Sequence, residues 1–440
     1  MQPTSELSRR EFLAASTGAL AATGLAVPAD AAPANSLAID GGSKAVKERV
    51  SPLVRWGEAE RQQLNVVVDQ NSLFYWKGTQ TKLLVERFRE ICPLMHVMTC
   101  SSGTAALHIA VAAAGIGPGD EVITSPITDI GTVIGTLFQQ AVPVFADLGG
   151  STYNLDPADV ARRITPKTKA IIAVHLAGNP CDMTALKAIA DKHKLVLIED
   201  CAQAWGARNS EQPIGTLGHI ACFSFQQAKH VTCGDGGIVA SSDERYGPLL
   251  QRFGDKGMDR LKAGGLFDSF ATNYRMSELQ AAFAAAQLGR LIDIATKRNQ
   301  LGNLLGEKIA GLPGIEPHAI RPADHCTYWF YMLRLRPDAL RCNRADFVKA
   351  LAAEGVPASA GYIPVPLYAN PVFQAHGFFA GRWPVKEFGL TSMDYSKVSC
   401  PEAEKTLQTG VRIVIHEGMS EAYIADVAEA IGKVARHYST

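Results

Sequence analysis

The sequence predicts an α/β protein, with a large, mostly parallel sheet covered by helices and a smaller α+β unit after it. Three observations point there. A chain of 440 residues can bury a sizeable core and usually divides into a major and a minor domain. From Thr99 to about Ser242, short apolar runs alternate with helical ones, the pattern of a parallel sheet whose crossovers are helices. Beyond Asn273, long helical periods give way to a mixture of strand and helix.

In chain order, helices are expected near Glu58 to Gln70 and Thr81 to Ile91, flanking the aromatic cluster Phe74-Tyr75-Trp76 and the turn signal Lys77-Gly78. Strands are expected at Glu121–Ile127, Val142–Ala146, Ala170–Leu176, Val196–Asp200, Ile220–Phe225 and Gly237–Ser241. Between them, Gly103–Ala114, Gly131–Gln140 and Met183–Lys194 read as helices. Asn273 to Ala310 reads as one or two long helices, Tyr328–Leu335 as a strand, and Arg344–Glu354 and Glu421–Tyr438 as helices. Residues 37–290 are therefore assigned to the large domain and 291–440 to the small one. Tyr328-Trp329-Phe330-Tyr331 is assigned to the small domain's core.

With 47% hydrophobic and 20% charged residues, the composition excludes neither a large core nor an ordinary surface. Forty-three basic side chains balance forty-three acidic ones, so no global field selects nucleic acid or an anionic membrane, and any anion must be held locally. Nine scattered cysteines without a Cys-x-x-Cys pair argue for buried free thiols rather than a disulfide framework or a zinc site. At the N-terminus, Ser8-Arg9-Arg10-Glu11-Phe12-Leu13 precedes a mild Ala/Gly/Thr-rich run that ends at Ala29-Asp30-Ala31. That pattern resembles a twin-arginine export signal over residues 1–31, and predicts a periplasmic protein with no membrane span once the signal is removed. The alternative is a cytoplasmic protein with an unstructured tail.

Three features carry chemistry. Ser102-Gly103-Thr104 opens an apolar helix, where unpaired amides and the positive end of the dipole suit a phosphate, although a Ser or Thr cap is also common for structural reasons alone. Val196-Leu197-Ile198-Glu199-Asp200 is a buried strand ending in carboxylates, at the sheet edge where α/β proteins bind ligands; one of the pair is expected to cap the following turn. Lys229 follows the strand Ile220–Phe225 and precedes Gly234-Asp235-Gly236-Gly237; a desolvated lysine there favours the neutral amine that attacks an aldehyde. Together these suit a cofactor with an aldehyde, a phosphate and a ring nitrogen.

Four ordered motifs complete the pattern: Ser102-Gly103-Thr104, Glu199-Asp200-Cys201-Ala202-Gln203-Ala204, Phe223-Ser224-Phe225-Gln226-Gln227-Ala228-Lys229-His230 and Asn273-Tyr274-Arg275-Met276-Ser277-Glu278. From about Leu37 onward the chain resembles the DegT/StrS family of sugar and aminocyclitol aminotransferases. The resemblance implies the fold type I architecture, pyridoxal 5′-phosphate as cofactor, and transfer of an amino group from an amino-acid donor to a keto-sugar or keto-cyclitol. By the same likeness Lys229 forms the internal aldimine, Asp200 meets the pyridine nitrogen and Gln203 the phenolic oxygen. Gly103, Thr104 and Ser224 hold the phosphate, and Asn273 reaches it from the neighbouring subunit of a homodimer. Related dehydratases carry histidine in place of the lysine, which disfavours dehydration or epimerisation; a non-catalytic sensor is the remaining rival. Two positions depart from the family's pattern. Asp129 stands where an aromatic commonly stacks on the ring; either its carboxylate contacts a substrate hydroxyl or amine instead, or another aromatic covers the ring face. Trp205 replaces a common histidine, and either narrows the substrate pocket or packs in the core. His175, at the end of its strand, is likewise read as a cofactor or substrate contact or as a packing residue.

Overall fold

The computed structural model describes residues 36–50, 52–260, 262, 267 and 269–440. The twin-arginine segment and the expected cleavage point at residues 29–31 lie outside the described residues. Among those described, no helix is long and apolar enough to cross a membrane.

The larger sheet has seven strands: β1 (His96–Cys100), β2 (Glu121–Thr124), β3 (Val142–Phe145), β4 (Thr168–Val174), β5 (Val196–Asp200), β8 (Ile220–Ser224) and β9 (Gly237–Ser241); β6 (Arg208–Asn209) and β7 (Gln212–Pro213) form a separate ribbon. The order across the sheet is β1-β9-β8-β5-β4-β2-β3. Only β9 runs against the others, pairing antiparallel with both β1 and β8. The remaining pairs are parallel, so the strands' carboxyl ends gather at one edge. β4, β5 and β8 are almost wholly buried apolar strands, as expected where helices cover both faces.

The predicted strands Val196–Asp200 and Gly237–Ser241 keep their bounds, while others end early for identifiable reasons. β2 stops at Thr124, ahead of Pro126, which has no amide to give the ladder. β4 stops at Val174, where a turn begins that puts Ala177 at φ 59° and Gly178 at φ 90°. β1 is not among the expected strands, because His96 and Thr99 interrupt its apolar character. The Asn273–Ala310 stretch contains two helices, Glu278–Leu288 and Leu291–Ile309.

A second sheet, β10 (Ile315–Glu316), β11 (Tyr331–Leu335), β12 (Ala358–Ala360) and β13 (Gly410–Ile413), is antiparallel throughout in the order β10-β11-β13-β12. Its core is closed by Leu301, Leu305, Phe347, Ile431 and Val434 from three helices. The segment beginning at Leu37, assigned above to the large domain, packs here instead. Leu37 is buried in this core, and the amides of Ala38 and Ala45 donate to the Glu354 carboxylate at 2.7 and 2.8 Å. A third group of buried residues joins the two halves, with Ile127 and Phe145 meeting Phe330, Met332 and Leu367.

Candidate active site

A cavity of about 420 Å³ opens at the carboxyl edge of the large sheet and is closed on one side by the second sheet. Ser102, Gly103, Thr104, Asp129, Asp200, Gln203, Ser224 and Lys229 all line it. Residues spread over more than a hundred positions converge because each sits just beyond a strand: Gly103 after β1, Asp129 after β2, Gln203 after β5 and Lys229 after β8.

The helix Gly103–Ala113 points its N-terminus into this space. Ser102 Oγ accepts the Ala105 amide at 3.0 Å, while Gly103 and Thr104 belong to the first turn, whose amides a helix leaves without carbonyl partners. Two glycines let the backbones close up here. A Cβ on Gly103 would lie 2.6 Å from Ser224 Cβ, and one on Gly237 would lie 2.4 Å from the Ser102 carbonyl oxygen. The result is a nest of two free amides, a helix dipole and the Ser224 hydroxyl, which is the donor set a phosphate monoester needs.

Asp200 is buried, and its neighbour Glu199 even more so, but they face different tasks. Asp200 Oδ2 accepts from Thr132 Oγ1 at 2.9 Å, and Thr132 in turn is hydrogen-bonded to Thr128 at 2.7 Å; Asp200 Oδ1 accepts the Ala202 amide at 3.1 Å. Burial pushes its carboxyl up from the ordinary carboxylate range, opposed by those hydrogen bonds and by the charges of Lys229 and His175. A cationic ring nitrogen is the partner such a carboxylate lacks. Glu199 instead turns away from the cavity and gathers the amides of Gly215, Leu217 and Gly218 at 2.7, 2.8 and 2.5 Å.

Lys229 is only 8% exposed, and burial lowers its amine to about 8 against the opposing pull of Asp200 and Asp129. Its Nζ lies 3.9 Å from the centroid of the Trp329 ring. The loop that carries it is held from outside. Arg55 donates to the carbonyls of Gln227, Lys229 and His230, and Trp329 Nε1 donates to that of Ala228 at 2.6 Å. Gln203 is fixed just as firmly: its Oε1 accepts the Ala177 amide at 3.0 Å, so its Nε2 is turned towards Tyr362 Oη, 3.3 Å away.

Asp129 is on the cavity wall, with Oδ1 accepting the Gly131 amide at 2.8 Å. His175 and Trp205 are not. His175 is buried beneath the edge, where the Cys181 amide donates to Nδ1 at 3.0 Å and Nε2 meets Glu199 at 3.1 Å. Trp205 packs against Phe223 and Phe225, with ring centroids 4.5 and 4.9 Å away, and donates to the Ser224 carbonyl at 2.8 Å; its size and apolar neighbours make it a core residue. Asn273 is exposed on the outside and lines no part of its own chain's cavity. Thr132, which holds Asp200, also lines the cavity without having been among the expected site residues, and the same is true of Trp329, Tyr362 and Arg412 on the second-sheet side. Trp329 had been placed in the core, and of the three only Arg412 left a local signal, as a charge between the apolar Val411 and Ile413.

All nine cysteines are free and seven are buried. His175, Glu199 and Cys201 bring ligand atoms within 4.8 Å of one another, but the imidazole and carboxylate there already satisfy each other and nearby amides.

The phosphate nest, the buried carboxylate, the fixed amide and the buried low-pKa amine fit pyridoxal phosphate, and define the class of a cofactor-dependent aminotransferase. The profile of the DegT/DnrJ/EryC1/StrS aminotransferase family matches residues 55–432, and the chain belongs to that family. It is 33% identical over 364 residues to a GDP-perosamine synthase of Caulobacter vibrioides, covering 82% of this chain and 92% of that one. It is 34% identical over 384 residues to the L-glutamine:2-deoxy-scyllo-inosose aminotransferase of Streptomyces kanamyceticus, covering 82% and 87%. Among solved structures, an aminotransferase from Psychrobacter cryohalolentis superposes with a TM-score of 0.79 at 29% identity, covering 89% of this chain and all of that one. The fold is thus that of the pyridoxal-phosphate aminotransferases, and the chain is a transaminase that depends on that cofactor.

Proposed function

We propose that this enzyme moves an amino group from an amino-acid donor, glutamate or glutamine, to a keto-sugar or keto-cyclitol in two half-reactions at one site. The observation that carries the reading is Lys229: a buried amine lowered to about 8, sharing a cavity with Asp200 and the Gly103-Thr104 helix start. Pyridoxal phosphate, when bound, supplies an aldehyde that captures amines and a ring that withdraws electrons from the adjoining carbon. The protein supplies the rest. Gly103, Thr104 and Ser224 would hold the phosphate, Asp200 would keep a proton on the ring nitrogen, and Gln203 would meet the phenolic oxygen. Lys229 would hold the aldehyde and, as a free amine, would take up and return the proton at the reacting carbon; a base whose pKa lies near the working pH does this in both directions. By its resemblance to the family, Asn273 would reach the partner subunit's phosphate in a homodimer, and its place on the surface outside its own chain's cavity leaves it free to do so.

Residues 8–13 and 29–31 support export, and an exported member would meet free sugars or cyclitols rather than nucleotide-linked ones. The test is a panel of nucleotide-linked keto-sugars, free keto-sugars and keto-cyclitols, offered to enzyme charged with glutamate or glutamine and followed by mass spectrometry. An aminated product from the cyclitol or sugar arms is the expected result. If glutamate and glutamine both fail to charge the enzyme, the reading is wrong. Fusing residues 1–36 to a folded reporter and locating it tests the export assignment.

A further inference from the structure

Lys229 Nζ makes no hydrogen bond and no ion pair among the described residues; what it meets is the ring face of Trp329, 3.9 Å from the centroid. The charges that share the cavity come from several elements: Asp200 from the end of β5, Asp129 from the turn after β2, Asp235 from the lysine's own loop and Arg412 from β13. Asp200 and Asp129 favour the ammonium and burial opposes it, while burial holds the neighbouring His230 neutral.

Trp329 is placed there by backbone that few residues tolerate. Tyr328, just before it, takes φ 39°, and crosses a turn in which Ala177 takes φ 59° and Gly178 φ 90°. A Cβ on Gly178 would lie 2.6 Å from the Tyr328 amide nitrogen and 3.0 Å from that of Trp329, so the crossing closes only on glycine. The Trp329 amide donates to the Ala177 carbonyl at 2.9 Å, and its Nε1 donates to the Ala228 carbonyl, one residue before the lysine, at 2.6 Å. Tyr362 meets the indole edge-to-face, with centroids 5.7 Å apart. The residue is thus fixed at both ends, by its main chain to the turn that also holds Gln203 and by its indole to the lysine loop. Non-glycine residues persist at positive φ where their surroundings over-determine them, and such strain gathers at sites with a task.

We propose that Trp329 is a positioning residue for Lys229, its indole face holding the lysine's ammonium at one place in the cavity whenever the amine is not joined to the cofactor. This rests on the transaminase reading above and names the group that keeps its base in place. A ring face attracts an ammonium through its quadrupole and has no such hold on a neutral amine. The grip therefore follows the proton: Lys229 is retained after taking one up and set free on giving it back. Without it, a side chain of four torsions spreads over many rotamers and must be gathered again in each turnover.

The test reads the acidity of Lys229 by itself, through trace acetylation with isotope-labelled acetic anhydride as pH is varied and mass spectrometry of the Lys229 peptide. It is run on the cofactor-free full chain and again with pyridoxamine phosphate, which has no aldehyde to capture the amine. Tetrafluorotryptophan inserted at position 329 keeps the shape and the N–H of the indole but withdraws the negative charge of its face. The labelling midpoint is expected to fall by about half a pH unit to one unit, the weight of a partly desolvated cation–π contact. Trp329→Leu should lower it at least as far, and Trp329→Phe, which keeps a ring face, should titrate between Leu and the parent. An unchanged midpoint with the fluorinated ring overturns the proposal, as does a Leu variant that titrates at or above the parent. In the loaded enzyme the fluorinated ring should lower kcat by about three- to tenfold, the same shift expressed as a rate, with KM for the amino donor unchanged. A loss confined to KM overturns the proposal and reassigns the ring to substrate contact. Should the parent enzyme be charged by no amino acid, the reading under Proposed function fails while the acetylation midpoints still decide the role of Trp329.

Discussion

The cavity has two unlike walls. On the large-sheet side nearly every polar atom is bound by another: Asp200 by Thr132 and Ala202, Gln203 by Ala177, and the lysine loop by Arg55. On the second-sheet side stand Trp329, Tyr362 and Arg412, aromatic and cationic groups, of which Trp329 is bonded to Ala228 and Tyr362 to Gln203 while the buried Nε of Arg412 has no partner. The first wall holds groups that must keep one geometry for a reaction common to all transaminases. The second offers ring faces and charge alongside them.

Exchanges on either wall can break that division. Lys229→Ala should reduce either half-reaction by about 10⁴-fold or more, since it removes both the covalent attachment and the proton carrier, and the visible cofactor band should vanish. A band that persists would show that another amine takes its place. Next come the paired carboxylates. Asp200→Asn should lower kcat by about 10²- to 10³-fold with the fold intact, the usual size for losing a placed electrostatic contact. Glu199→Gln should leave kcat per folded molecule nearly unchanged and destabilise the chain by about 2 to 4 kcal/mol in urea unfolding, because amides of Gly215, Leu217 or Gly218 lose their acceptor. Reversed effects would mean that the two side chains have exchanged roles.

Acidity gives a third check. Lys229 has its amine lowered to about 8, so below that value the ammonium predominates and above it the free amine does. Capture of added pyridoxal phosphate by cofactor-stripped protein should therefore rise about tenfold per pH unit up to 8 and level off above it. A profile still climbing at pH 10 would contradict the burial of the side chain. The smallest effect belongs to the second wall: Trp329→Phe keeps a ring face under the ammonium but loses the bond to the Ala228 carbonyl, and should slow turnover by about two- to tenfold.

The same division explains what could be read without coordinates. The first wall was legible because its groups sit next to strand ends and helix starts that announce themselves locally: a run of Val196 to Ile198 before Asp200, or Ser102-Gly103-Thr104 before an alanine-rich helix. Tyr362 and Trp329 sit in irregular connections, and only the docking of one sheet on the other brings them to Lys229. Even the strand expected from Tyr328 begins three residues later, at Tyr331, since Tyr328 takes φ 39° to pass over Gly178, where any side chain would meet the Tyr328 amide at 2.6 Å. For Trp205 and His175, of the two readings the sequence offers, the structure shows packing. Both stand beside strand-end residues in sequence, yet they point beneath the sheet edge, an orientation that spacing alone does not give.

The grip of Arg55 on the carbonyls around Lys229 has a mechanical consequence. With the carbonyls of Gln227, Lys229 and His230 all held by one guanidinium, the main chain at that point would resist tilting as the amine moves. The swing is left to the side chain's own four torsions, turning on a stationary pivot. A residue outside the cavity lining therefore fixes the point about which the Lys229 side chain turns.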